Sequence, residues 1–114
     1  MSSRQVQSTQ LKFPSTGADS ATTNIPTEAV NMWGAYNSVQ VVIAGTGTVS
    51  VTATIQVSNN GTNWIDATAL SLSGTTTDTD GATLASGWKW MRVNLSSITG
   101  TGATVTVFHA GYGL

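Results

Sequence analysis

The chain has one histidine, His109, and five acids, Asp19, Glu28, Asp66, Asp78 and Asp80. Nucleophilic hydrolysis needs a base held beside its nucleophile by a third group. His109 sits in ATVTVFH, a strand-like run with no acid close to it in sequence, so an ordinary strand histidine is the expectation. Glycoside hydrolysis needs two placed carboxylates, and nothing in the spacing of these five suggests a pair. Asp78-Thr79-Asp80-Gly81 resembles part of a calcium loop. The EF-hand form would need an acid near Thr76 and a Glu near Gly87, and both are missing. An acidic turn is the simpler reading. Asn60-Gly61-Thr62 and Asn94-Leu95-Ser96 match the glycosylation sequon, but turn and strand chemistry accounts for them. The glycine pairs Gly45/Gly47 and Gly100/Gly102 match no phosphate-loop pattern. The expectation is therefore a protein that is not an enzyme, with no catalytic residues, no cofactor and no metal.

The aromatic residues offer another chemistry. Trp33, Trp64, Trp88 and Trp90 carry flat apolar faces with a polar handle, which suits stacking on a pyranose. The competing reading is packing, because one Trp buries about 150–250 Å². For Trp64 and Trp90 packing is preferred. Trp88 shares a strand face with Trp90 and Arg92, a face suited to a cation–π stack or to a partner. Trp33 and Tyr36 flank Gly34. Trp33 and Trp88 are thus the candidate exposed aromatic contacts.

Composition narrows the class. The 114 residues fit one domain, which buries roughly 65% of its unfolded surface. There is no cysteine, so disulfides and Cys-based metal sites are excluded. Charged residues make up 8% of the chain and the net charge is −1. Arg4, Lys12, Lys89 and Arg92 are too few and too scattered to neutralise a row of phosphates, so nucleic acid is not an expected partner. No apolar leader opens the chain, and its longest apolar run, Val41 to Ala44, is far too short to span a membrane. The expectation is a soluble protein made in the host cytoplasm, with no membrane partner. The surface should be neutral and hydroxyl-rich. Such a surface suits coverage by neighbours in an assembly, although Thr also simply suits exposed strand faces.

These residues need strands to position them. Ser38–Ala44 places Val39, Val41 and Ile43 on one face. Thr48–Ser58 alternates, with Val49, Val51, Ala53, Ile55 and Val57 on one side and Ser50, Thr52, Thr54 and Gln56 on the other. That period of two predicts an antiparallel strand with one packed and one wet face. Ser58-Asn59-Asn60-Gly61 is a tight turn. Trp64 and Ile65 begin a return strand that runs through Leu70 and Leu72. Residues 73–83 form a loop in this reading, Gly87–Leu95 and Ala103–His109 are strands, and no helix is expected. The fold class is all-β, an antiparallel β-sandwich or jelly roll. Residues 1–28 are polar, broken by Pro14 and Pro26, and sparse in apolar groups. They read as an extended N-terminal arm, held by the chain's own domain, a sister subunit or a larger lattice, with the sandwich occupying 29–114.

VSNNGTNWIDATAL followed by GWKWMRVNLSS resembles the "Ser-Asn-Asp-Gly-Thr-x-Trp" hairpin and the downstream "aromatic-x-aromatic-x-Arg-Val" strand of discoidin-like, galactose-binding-fold jelly rolls and of many small phage virion proteins. The first motif is Ser58, Asn59, Asn60, Gly61, Thr62 and Trp64, with Asn60 in place of Asp. The second is Trp88, Trp90, Arg92 and Val93. The resemblance covers residues 48–107 at most. It implies that Asn59, Asn60, Gly61, Trp64, Trp90 and Arg92 are structural, so the hairpin is scaffold more than site.

With its polar arm and Thr/Gly-rich body, the whole chain resembles tailed-phage head decoration (cement) proteins. That resemblance implies a virion structural protein on the outer capsid surface, bound to the major capsid protein and to sister subunits, often as a homotrimer. The arm would reach neighbours through Val6, Leu11, Phe13 and Ile25 as apolar anchors, with Arg4 and Lys12 as polar contacts. The alternative is a carbohydrate-binding module or adhesin tip with a glycan partner. A tail or baseplate component is a further alternative.

Overall fold

The computed structural model describes residues 7–13, 20–32, 36–85 and 87–112. Its strands are β1 (Gln7–Gln10), β2 (Val30–Asn31), β3 (Tyr36–Ala44), β4 (Val49–Ser58), β5 (Ile65–Gly74), β6 (Thr77–Ala85), β7 (Trp90–Thr99) and β8 (Thr104–Tyr112). Two antiparallel four-stranded sheets, ordered β1-β8-β3-β6 and β2-β7-β4-β5, face one another. This is the expected sandwich, in the eight-stranded jelly-roll form. No helix occurs among the described residues.

Alternation produces this arrangement. On β4, Val49, Val51, Ala53, Ile55 and Val57 are buried while Ser50, Thr52, Thr54 and Gln56 are half-buried. Val39, Val41 and Ile43 of β3, Met91, Val93 and Leu95 of β7, and Val105 and Val107 of β8 complete the inner faces. Each of these four strands thus gives every second side chain to one shared core.

Two expectations are corrected. Residues 73–83 are not a loop: β6 pairs along the whole of β3, from Tyr36↔Ala85 to Ala44↔Thr77. Its Ala82 and Leu84 pack against the core. Thr suits an exposed edge, and Asp78 and Asp80 lie at register positions opposite the buried Ile43 and Val41. Asp78 is half-buried and Asp80 exposed, and charges on an edge strand discourage pairing with another chain. Asp78 also accepts a hydrogen bond from the Ser73 amide (3.0 Å), and Asp80 from the Gly81 amide (2.8 Å). The acids therefore stabilise an edge and its corner, where the sequence suggested a turn.

The second correction concerns the N-terminal segment. It is extended, but its described residues close the molecule's own sandwich. Leu11 and Phe13 are 0% exposed and Ile25 packs against the same core, so these three side chains are not anchors offered to a neighbour. Their backbone is equally committed. β1 pairs with β8, and the Leu11 amide donates to the Val107 carbonyl (2.8 Å). Ala21 and Val105 exchange two bonds of 2.9 and 2.8 Å. The chain then crosses to the other sheet. The Thr27 amide donates to the Val93 carbonyl (2.8 Å), the Thr27 hydroxyl accepts from the Val93 amide (2.9 Å), and the Leu95 amide donates to the Ile25 carbonyl (3.1 Å). Lys12 and Glu28 tie the two halves together: the Glu28 amide donates to the Lys12 carbonyl and its carboxylate accepts from the Lys12 amide. Lys12 itself is exposed. The physical reason is edge satisfaction: without this segment β8 and β7 would present rows of unpaired backbone groups. Arg4 and Val6 lie outside the described residues.

Truncating the segment's buried side chains should therefore unfold the domain. Phe13→Ala is expected to cost about 3–5 kcal/mol and Leu11→Ala about 2–5 kcal/mol in urea denaturation. Lys12→Ala should stay within about 0.5 kcal/mol of the parent. Parent-like stability for Phe13→Ala would contradict the packing described.

Candidate functional site

The two ends of the sandwich differ. At one end the connections between β3 and β4, β5 and β6, and β7 and β8 are short and bonded to one another. The Gly45 amide donates to the Thr76 carbonyl (2.8 Å) and the Thr46 amide to the Thr101 carbonyl (3.0 Å). Gly100, at φ +123°, leaves no room for a side chain, since an added Cβ would lie 2.6 Å from the Thr48 carbonyl oxygen. This end is closed by backbone.

The opposite end carries the aromatic groups. The β4–β5 turn is built by side chains on its own amides. Ser58 Oγ accepts from the amides of Asn60 (3.2 Å) and Gly61 (3.0 Å), and Asn60 Oδ1 accepts from those of Thr62 and Asn63 (both 2.9 Å). Gly61 takes φ +73°, the left-handed region where a Cβ is unfavourable. Asn59 Oδ1 accepts from the Lys89 amide (3.1 Å) across 30 residues, and the Met32 amide donates to the Lys89 carbonyl (3.0 Å). Three connections therefore converge here. The Trp90 indole lies against Gly61. Asn59, Asn60 and Gly61 thus hold the turn in place, with Trp90 against it.

Next to this turn a polar row crosses the outer face of the sheet. Gln56 pairs with Arg92 on one side and with Asp66 on the other. Arg92 Nε donates to Gln56 Oε1 (2.8 Å), and Gln56 Nε2 donates to Asp66 Oδ1 (2.8 Å). The Arg92 guanidinium lies 4.5 Å from the Trp64 ring centroid, and Lys89 Nζ lies 5.6 Å from that of Trp90. Each cation thus faces an indole, a favourable electrostatic arrangement. Partial burial lowers the pKa of Arg92 below its usual value through loss of hydration, and the group still stays charged at any neutral pH.

The exposed large apolar side chains gather at this same end. They are Tyr36 at the start of β3 (51% exposed), Ile65 at the start of β5 (53%) and Trp88 just before β7 (37%). Of the sequence-derived candidates, Asn59, Asn60, Gly61, Trp64, Trp88, Trp90 and Arg92 come together here. Leu11, Phe13 and Ile25 instead serve the core. Trp33 lies outside the described residues. Sequence reasoning misses Gln56, Asp66 and Lys89 as members of this cluster. The hairpin register through Asn59–Asn63 was the signal that could place Gln56 beside Asp66. Among the described residues no group of three or more His, Asp or Glu is placed to hold a metal ion.

His109 serves the core. It is buried between the sheets, and its Nε2 lies 3.0 Å from Asn37 Oδ1. Burial pushes its pKa below the ordinary 6.5 because the interior disfavours the charged ring.

No family model matches the chain, and no curated protein matches it. A solved carbohydrate-binding module, described as CBM4, matches with TM-score 0.54 and 12% identity over 77% of this chain. The match spans 61% of that module. A likeness at this identity shows the β-sandwich fold.

Two outcomes follow. Gly61→Ala should cost about 1 kcal/mol through its backbone conformation. Its added Cβ would sit at an ordinary 3.5 Å from Trp90 Nε1, so tryptophan emission should keep its wavelength; a red shift would show the turn opening instead. For His109, the unfolded chain binds a proton below pH about 6.5 that the folded chain refuses, so stability should fall as pH drops below that value and stay flat just above it. In thermal melts across that range, His109→Gln should remove this part of the slope; an unchanged slope would contradict the assignment.

Proposed function

We propose that the chain is a non-catalytic structural component of a virus particle, a capsid decoration protein that seats on the outer shell through a sheet face. The observation that carries this reading is the outer face of the β2-β7-β4-β5 sheet. Thr52 pairs with Ser71 and Ser96, and Thr54 with Ala69 and Asn94. The centre of the face therefore bears only small, uncharged groups. This central patch can lie flat against another protein without stranding a charge, and the Arg92–Gln56–Asp66 row borders it on the same face. The low overall charge and the resemblance of the hairpin and strand motifs to small phage virion proteins support the same reading. With the described N-terminal residues spent on the sandwich, attachment falls to this face. Repeated copies, as trimers over the major capsid protein, would add many weak contacts through multivalency. A place in the tail or baseplate would use the same face on a different lattice.

A specific observation favours a second reading, a carbohydrate-binding module or adhesin tip. Trp88, Tyr36 and Ile65 are exposed together at the end that also carries Trp64, Trp90, Arg92 and Lys89. Clustered exposed apolar groups mark interaction sites. The fold likeness to a carbohydrate-binding module agrees with this reading. The fold does not choose between the two, since jelly rolls serve capsid and lectin domains alike.

Co-sedimentation with undecorated capsid shells tests the first reading. The parent protein should pellet saturably, and Thr54→Arg, which plants a charge in the middle of the flat face, should weaken pelleting at least tenfold. Absence of pelleting, or pelleting unchanged by Thr54→Arg, would contradict it.

A further inference from the structure

We propose that the aromatic end holds a subsite for a carboxylated sugar, in which the Arg92 fork reads the carboxylate and Trp88 stacks on the pyranose. This rests on the carbohydrate reading above and narrows it to acidic saccharides.

Arg92 is fixed before any ligand arrives. Its guanidinium is stacked on Trp64 at 4.5 Å and its Nε is used by Gln56 at 2.8 Å. Gln56 is in turn fixed by Asp66 at 2.8 Å. Stacking and the Nε bond leave the terminal amino groups as the donors that remain, and none of them meets a protein acceptor among the described residues. A planar fork with two parallel donors matches a carboxylate in bidentate fashion. Because the guanidinium is already immobilised, little rotamer entropy is lost on binding.

The local charge balance points the same way. Among the described residues no ion pair joins Arg92 or Lys89 to a carboxylate. Asp66, which completes the row, is separated from Arg92 by the Gln56 amide. Two of the chain's four cations thus stand over indoles at one end, with no ion-pair partner among the described residues. An anionic ligand would supply the missing charge. A nucleic acid would need a longer run of cations than these two. A saccharide needs only one carboxylate and a flat platform, and Trp88, 37% exposed, precedes the strand that carries Arg92.

The test is calorimetric titration of the full chain with acidic oligosaccharides, each paired with its carboxyl-reduced form. The probes are trigalacturonate, a glucuronate-containing oligosaccharide and sialyllactose. At least one acidic probe should bind, and its reduced form should bind at least tenfold more weakly. Arg92→Gln and Trp88→Ala should each lose at least tenfold, and Arg92→Lys should not restore the affinity. Since Arg92 also packs on Trp64, its variants are read only where the thermal melt stays cooperative. Trp88→Ala and Lys89→Gln alter exposed groups and keep the test valid if Arg92 variants unfold. Equal binding of acidic and reduced forms would overturn this proposal and leave the carbohydrate reading standing. Equal binding of a polyglutamate peptide would overturn it too, because the sugar would then play no part. No binding to any saccharide would overturn both.

Discussion

Two sheets with one apolar face each form a stable sandwich only if their edges are also satisfied, and in this chain the N-terminal segment meets that constraint on one side. Its path from β1 on the β8 edge to residues 25–31 on the β7 edge pairs backbone groups in both sheets. It also lowers Leu11 and Phe13 into the gap between them. On the other side the short β5–β6 corner and the acids of the β6 edge do the corresponding work. The core, the register of β7 and β8, and the position of everything mounted on them depend on that clasp. Edge pairing and core filling are usually discussed separately; here one segment performs both.

The clasp also determines where function can lie. The segment's buried side chains, Leu11 and Phe13, are consumed by its own domain. The backbone-bonded glycine end offers little chemistry. The centre of the outer face of the β2-β7-β4-β5 sheet offers flat, neutral packing. The aromatic end offers cations stacked on indoles beside an exposed tryptophan. These surfaces adjoin: the Arg92–Gln56–Asp66 row that belongs to the aromatic end lies on the same outer face, one alternation along the strands from Thr54.

Much of this was legible in the residues. The alternation of β4 was unambiguous because a strand with one wet face separates Val and Ile from Thr and Ser. The Asn-Gly hairpin was legible because few residues accept Gly61's positive φ. β6 was not, because its Thr, Asp and Gly are also turn formers, and only pairing with β3 reveals them as an edge. The clasp was not, because sparse apolar residues in a polar stretch look unable to fill a core, whereas Leu11 and Phe13 complete one built by other strands. The pairing of Gln56 with Arg92 required the register between β4 and β7, a long-range property that local pattern does not carry, whereas Gln56 and Asp66 share one hairpin. A bulge beside Gln56 shifts that register further from simple counting.

The most direct test of the account is amide hydrogen exchange on the isolated protein. The amides of Leu11, Ala21 and Thr27 donate to carbonyls on strand edges, so they should exchange as slowly as those of Val51 and Ile55 in the centre of β4, opening only with global unfolding. Exchange of these three at the rate of a free peptide, with β4 still protected, would show the segment to be a loose arm and contradict the account.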